Sequence, residues 1–109
     1  MQKSILIIGR PGSGKTTKLN EILSKLEVNY LLCRQMEYAD VVNDLKFKSN
    51  VKIDCLAVEE VVDVEDIEMV MKFVKDNQMY CIVTTQLSVK ELSEKLLSEC
   101  EIISCEWSF

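Results

Sequence analysis

All three glycines and the single proline of this 109-residue chain fall between Gly9 and Gly14. The residues that permit unusual backbone geometry are thus confined to one short loop. Everything else must be built from regular elements and polar connections. Ahead of the loop, Ser4 to Ile8 is an apolar run suited to a strand buried on both faces. Behind it, Leu19, Ile22, Leu23 and Leu26 recur at the i, i+3, i+4, i+7 spacing of one helix face. The loop therefore joins a buried strand to an amphipathic helix.

The same alternation continues along the chain. Val28 to Cys33 reads as a second strand and Met36 to Phe47 as a helix. Ile53 to Val58 reads as a third strand, and Asp63 to Asp76 as a helix with Ile67, Val70, Met71 and Val74 on one face. Met79 to Thr84 is a fourth strand. Ser88 and Glu91 form a capping-box pattern that is expected to open a helix running through Leu92, Leu96 and Leu97. Cys100 to Cys105 is a fifth strand. Strands alternating with helices imply an α/β fold: a five-stranded parallel sheet with helices on both faces. A chain of this length fits one domain with a single core. Ligands of such sheets bind beyond the carboxyl ends of the strands, so the residues following each strand are the candidates for chemistry.

The motif Gly9-Arg10-Pro11-Gly12-Ser13-Gly14-Lys15-Thr16 has the spacing GxxxxGK[ST], between a strand and a helix as that pattern requires. Glycines let successive backbone N–H groups turn into a concavity that fits phosphates. The helix that follows adds the positive end of its dipole. Lys15 is placed to reach β- and γ-phosphates, and the Thr16 hydroxyl to ligate Mg²⁺. The expected nucleotide-binding set is Gly9, Arg10, Pro11, Gly12, Ser13, Gly14, Lys15, Thr16 and Thr17.

At the end of the third strand, Val58 runs into Glu59-Glu60. An acidic pair there suits a magnesium–nucleotide site: Glu59 is assigned to magnesium and Glu60 to activation of an attacking water. A plain solvated turn would also carry acids, and Asp63, Glu65 and Asp66 follow. Asp54 is a rival for the magnesium role but stands at the strand's start, away from the ligand end. At the end of the fourth strand, Thr84-Thr85-Gln86 turns polar, where a side chain can register the γ-phosphate.

Phosphate loop, acidic pair and polar strand end, in this order, resemble the P-loop ATPases that carry an added catalytic glutamate, the group of AAA+ and RecA-like proteins. Within it, Glu59-Glu60 and Thr85-Gln86 look most like the FtsK/HerA DNA-pumping superfamily. That resemblance implies ATP and Mg²⁺ as ligands and the sheet order 5-1-4-3-2. It also implies Lys15, Glu60 and Gln86 as catalytic residues, and Thr16 and Glu59 at the metal. Departures are a glutamate where the family has aspartate, at Glu59, and the absence of any lid or DNA-binding module. Only Arg10 and Arg34 are arginines. Of these, Arg34, after the second strand, is the better placed to act as a finger on a neighbouring subunit; the plainer reading is a surface arginine making no special contact.

Composition bounds the alternatives. No stretch approaches the ~18–20 apolar residues of a membrane span. The start, Met1-Gln2-Lys3-Ser4, lacks a signal-peptide shape, so the cytoplasm is the expected compartment. The five cysteines form no CxxC pair and histidine is absent. This excludes Cys/His zinc sites and leaves the cysteines as buried core residues. A net charge of −5 argues against non-specific nucleic-acid binding, although Lys46, Lys48 and Lys52 can form a small basic edge. Two readings stand: an oligomeric ATPase acting on DNA, or a nucleotide-dependent switch offering a surface to a protein partner. In the second, Trp107 and Phe109 either dock outward or pack back on the sheet edge. A small-molecule kinase would need an acceptor site and a lid with several arginines, and neither is visible.

Overall fold

The computed structural model describes residues 3–47 and 52–105. Its elements are β1 (Ser4–Ile8), α1 (Lys15–Ser24), β2 (Tyr30–Arg34), α2 (Tyr38–Phe47), β3 (Cys55–Glu59), α3 (Val64–Asp76), β4 (Tyr80–Thr85), α4 (Glu94–Glu99) and β5 (Cys100–Ser104). The strands form one parallel sheet in the order β2-β3-β4-β1-β5, which is the expected 5-1-4-3-2 counted from the other edge.

Burial follows position in the sheet. Every residue of the interior strands β1 and β4 is buried, including the polar Ser4, Thr84 and Thr85, and the apolar runs Ile5 to Ile8 and Cys81 to Val83 form their middles. The edge strand β2 buries Cys33 and leaves Tyr30 and Leu32 exposed. Two apolar clusters line the two sheet faces. On one, Ile5, Ile7, Cys55, Ala57 and Ile82 pack against Leu19 and Leu23 of α1. On the other, Leu6, Leu56, Val58, Cys81 and Val83 pack against Ile67, Val70 and Val74 of α3 and Leu96 of α4. Tyr38 and Val41 of α2 join that second cluster. One helix therefore covers one face and three cover the other.

Helix α1 matters most for the site, because it carries the phosphate loop's lysine and threonine. Leu19 is fully buried beneath it. Leu19→Ala would cost about 2–5 kcal/mol and loosen the seating of the loop. Helix α3 has acids in its first turn, Glu65 and Asp66, and Lys75 in its last, matching the sense of its dipole.

Two helix starts differ from expectation. The segment from Met36 begins as a 3-10 turn, Gln35–Glu37, with Met36 80% exposed, and the α-helix starts at Tyr38. The Ser88/Glu91 capping box forms, with the Ser88 N–H donating to Glu91 Oε2 at 2.6 Å, but it closes only a 3-10 turn. Leu92 then takes an extended conformation to bury its side chain, and α4 begins after Ser93, whose Oγ accepts from the Leu96 N–H.

Cys33, Cys55, Cys81 and Cys100 are buried free thiols. Burial pushes the Cys81 thiol up to about 12, and those of Cys33, Cys55 and Cys100 up to about 11. Met71 lies between Cys81 and Cys100, its Sδ 3.4 and 3.5 Å from their sulfurs. Among the described residues no helix is long and apolar enough to cross a membrane.

Candidate nucleotide site

The site stands at the carboxyl ends of β1, β3 and β4. Gly12 (φ 77°) and Gly14 (φ 91°) take the left-handed backbone that L side chains resist. The Ser13 N–H closes a turn onto the Arg10 carbonyl at 3.1 Å. Helix α1 begins at once, with no side-chain cap at Gly14 and no acid in its first turn. Its first N–H groups and its positive dipole end therefore face the loop's concavity. Gly9 is required for a different reason. A Cβ there would collide with Ser13 Oγ and lie 2.6 Å from the Cys105 carbonyl oxygen. Ser13 itself is buried, its Oγ without a partner among the described residues.

Lys15 is only 8% exposed. Its Nζ donates to the carbonyls of Gly9 at 2.7 Å and Arg10 at 2.9 Å. The ammonium thus lies across the mouth of the loop, held by the first two residues after β1.

One cavity of about 400 Å³ is lined by Pro11, Gly12, Gly14, Lys15, Thr16, Thr17, Glu60, Thr84 and Gln86. It brings together residues far apart in sequence, which sequence reasoning had assigned to phosphate binding, water activation and γ-phosphate sensing. A larger neighbouring cavity, about 870 Å³, lies on the other side of the loop. Gly9, Arg10 and Ser13 line it, with residues 86–90 after β4 and Ser104 and Cys105 at the end of β5. Pro11, Gly12 and Gln86 border both cavities.

Glu59 does not line the 400 Å³ cavity. It ends β3, partly exposed, in register with Arg34 of β2. Arg34 is exposed at the end of the edge strand, and its N–H donates to Glu37 Oε1 at 3.0 Å. Asp54 precedes β3 at the opposite end of the sheet. Among the described residues, no three histidine, cysteine, aspartate or glutamate side chains are grouped to hold a metal by themselves. A hard cation entering with a nucleotide would find the Thr16 hydroxyl and the Glu60 carboxylate on the wall of the 400 Å³ cavity as oxygen donors. Lys52 is exposed, and its carbonyl accepts from Asn29 Nδ2 at 3.2 Å. The side chains of Lys46, Lys48, Trp107 and Phe109 lie outside the described residues.

Two residues carry more of the site than their sequence context indicates. The Thr84 Oγ1 accepts the Glu60 backbone N–H at 2.9 Å, and its carbonyl accepts the Val61 N–H at 3.0 Å. Thr85 turns the other way, is fully buried, and donates its hydroxyl to the Val61 carbonyl at 2.6 Å. The end of β4 thereby clamps the acidic turn after β3. The only sequence signal was a pair of hydroxyls closing an apolar strand.

No family model matches the sequence, and no curated protein is detectably similar to it. Solved structures do match. A RuvB variant from Thermotoga maritima aligns over 98% of this chain and 38% of its own, at 24% identity and a TM-score of 0.61. A chain of the E. coli HORMA:CdnC:Trip13 complex aligns over 94% of this chain and 43% of its own, at 11% identity and 0.59. AMPPCP-bound DnaA from Aquifex aeolicus aligns over 98% and 41%, at 15% identity and 0.58. The chain thus spans about two fifths of the length of these structures. RuvB and DnaA are AAA+ P-loop ATPases, and what this chain shares with them is their fold: the parallel five-stranded sheet with its phosphate loop after β1.

Proposed function

We propose that residues 1–109 form a single nucleotide-binding domain that binds Mg-ATP and hydrolyses it in the cytoplasm. One observation carries the reading: Lys15, Thr16, Glu60 and Thr84, from three separate chain segments, converge on one cavity at the ligand end of the sheet. The N–H groups of residues 12–17 and the Lys15 ammonium bind the β- and γ-phosphates. Lys15 gives up its carbonyl partners for phosphate oxygens as it does so. The Thr16 hydroxyl, with Glu59 reaching in through water, holds the magnesium that enters with the nucleotide. The metal supplies charge neutralisation on the phosphates. The Glu60 carboxylate takes the proton of the attacking water. Gln86, between the two cavities, is placed to sense the terminal phosphate, and the larger cavity receives the nucleoside. The AMPPCP bound to the DnaA of similar fold supports an adenine nucleotide.

The finer reading is an oligomeric ATPase of FtsK/HerA type that acts on DNA. Arg34 supports it, since an exposed arginine at the ligand end of an edge strand is free to meet a second subunit. The competing reading is a nucleotide switch with slow turnover. Phosphate release from ATP, measured with and without magnesium and with and without duplex DNA, separates them. Magnesium-dependent release stimulated by DNA supports the motor. Release indifferent to DNA leaves the switch ahead, and no binding of ATP at any magnesium concentration rejects both.

A further inference from the structure

The stretch from Glu27 to Arg34 carries an acid at one end, a base at the other and no charge between. Its strand, β2, pairs with β3 on one side, and among the described residues no strand pairs with the other side. An unpaired edge offers a row of backbone donors and acceptors to any strand that can lie along it, and proteins commonly block it with charge or proline. Tyr30 to Cys33 has neither. The register of β2 on β3 sets Tyr30 beside Cys55 and Leu32 beside Ala57, so both point to the face that carries α1. Helix α1 packs chiefly over β1 and β4. Tyr30 and Leu32 are each 42% exposed, and Val28 is exposed just before them. Glu27 and Arg34 are exposed too, and neither is in an ion pair among the described residues.

We propose that β2 is a dimer contact, in which the edge strands of two copies of this chain pair antiparallel and join their sheets. Charge selects both the occupant and its direction. An antiparallel copy brings each Glu27 to the end where the other copy's Arg34 lies, whereas a parallel copy sets acid on acid and base on base. The same strand serves both sides, as a two-fold contact requires. Main-chain bonds between the edges hold the contact, together with Tyr30 and Leu32 of both copies, which meet in one apolar strip on the α1 face. The exposed ion pairs add little affinity and fix orientation and register. Antiparallel joining sets the ligand ends of the two sheets at opposite ends of the dimer. This contact therefore cannot deliver Arg34 to the other copy's phosphates, and a finger role for Arg34 needs a different contact between copies.

Sedimentation equilibrium from low to high micromolar protein, without nucleotide, tests this on wild type, Leu32→Lys, Arg34→Glu, Glu27→Arg and the double variant Glu27→Arg/Arg34→Glu. Wild type should pass from the mass of one chain toward that of two as concentration rises. Leu32→Lys sets two ammonium groups along the joint and should weaken the dimer at least about tenfold. Arg34→Glu and Glu27→Arg each set like charge against like at both ends, and each should weaken it about tenfold. The double variant exchanges the two ends and should return the dissociation constant to within about threefold of wild type. Only antiparallel pairing gives that pattern of two losses and a recovery. The charge variants, outside the apolar stretch, carry the test if Leu32→Lys fails to fold. Wild type that stays monomeric through high micromolar protein overturns the proposal and leaves the edge to a different protein. A dimer indifferent to Leu32→Lys and to the charge variants also overturns it, by placing the contact elsewhere, as does a double variant no tighter than the single ones.

Discussion

The Lys15 ammonium lies 2.7 Å from the carbonyl oxygen of Gly9, six residues before it and at the other end of the phosphate loop. Charge-assisted bonds to Gly9 and Arg10 hold the side chain, nearly buried, over the concavity made by the loop's own N–H groups. Lys15→Ala removes the cation proposed to meet the phosphates but leaves the backbone cradle. Affinity for Mg-ATP should fall at least about tenfold, or ~1.4 kcal/mol, in a protein that still melts cooperatively. Calorimetric titration checks this, and unchanged affinity in the folded variant would remove the loop from nucleotide binding.

Gly9 and Gly12 should respond differently to alanine. At Gly9 the new methyl meets Ser13 Oγ and the backbone carbonyl of Cys105, a residue whose N–H is bonded to the Ile8 carbonyl at 2.8 Å. Overpacking of this kind costs about 1–3 kcal/mol. Gly12 has nothing within 4 Å of such a methyl and only its φ of 77° to lose, about 1–2 kcal/mol. Thermal melts of the two variants should therefore rank Gly9→Ala below Gly12→Ala. The reverse order would contradict the packing described around the loop.

The buried thiols set an alkaline limit on stability. In the folded protein Cys81 is pushed up to about 12, and Cys33, Cys55 and Cys100 up to about 11, from an ordinary 9.0. The folded state therefore binds more protons than the unfolded state between these values. Stability should be fully present below pH ~9 and fall progressively from there to pH ~12. Denaturant midpoints across that range measure it. A flat midpoint from pH 8.5 to 11 would mean the thiols are not buried as described.

Arg34 offers a test of assembly. It is exposed at the ligand end of β2, and among the described residues no strand pairs with the outer side of β2. A cation contributed by a neighbouring subunit can raise phosphoryl-transfer rates by ~10³ or more. Turnover per subunit should rise with protein concentration, and Arg34→Ala should abolish that rise while sparing nucleotide binding. Specific activity that is flat from nanomolar to high micromolar protein would leave Arg34 without this role.

Much of the fold was legible because hydrophobic period and turn chemistry agreed. Apolar runs such as Ile5 to Ile8 and Cys81 to Val83 are interior strands, and the Leu19/Leu23 stripe is the buried face of α1. The phosphate loop was legible because its glycines have no other use. Helix starts were less so. Ser88 and Ser93 both precede plausible first turns, and only the burial of Leu92, a tertiary demand, assigns the true start to Ser93. The clamp on Glu60 could not be read locally at all: Thr84 and Glu60 are 24 positions apart, and their bond exists only because β3 and β4 are neighbours. Sequence likewise separated Glu59 from Glu60 by role but could not show that only Glu60 lines the cavity with Lys15.

If Glu60 is the base of a hydrolytic nucleotide site, phosphate release by Glu60→Gln reads it out. The amide keeps the side chain's size and its backbone anchor at Thr84 but cannot take a proton. Mg-ATP should bind Glu60→Gln as tightly as wild type, while release of inorganic phosphate falls by about 10² or more. Equal release by wild type and Glu60→Gln, each shown to bind ATP, would mean that Glu60 is not the base.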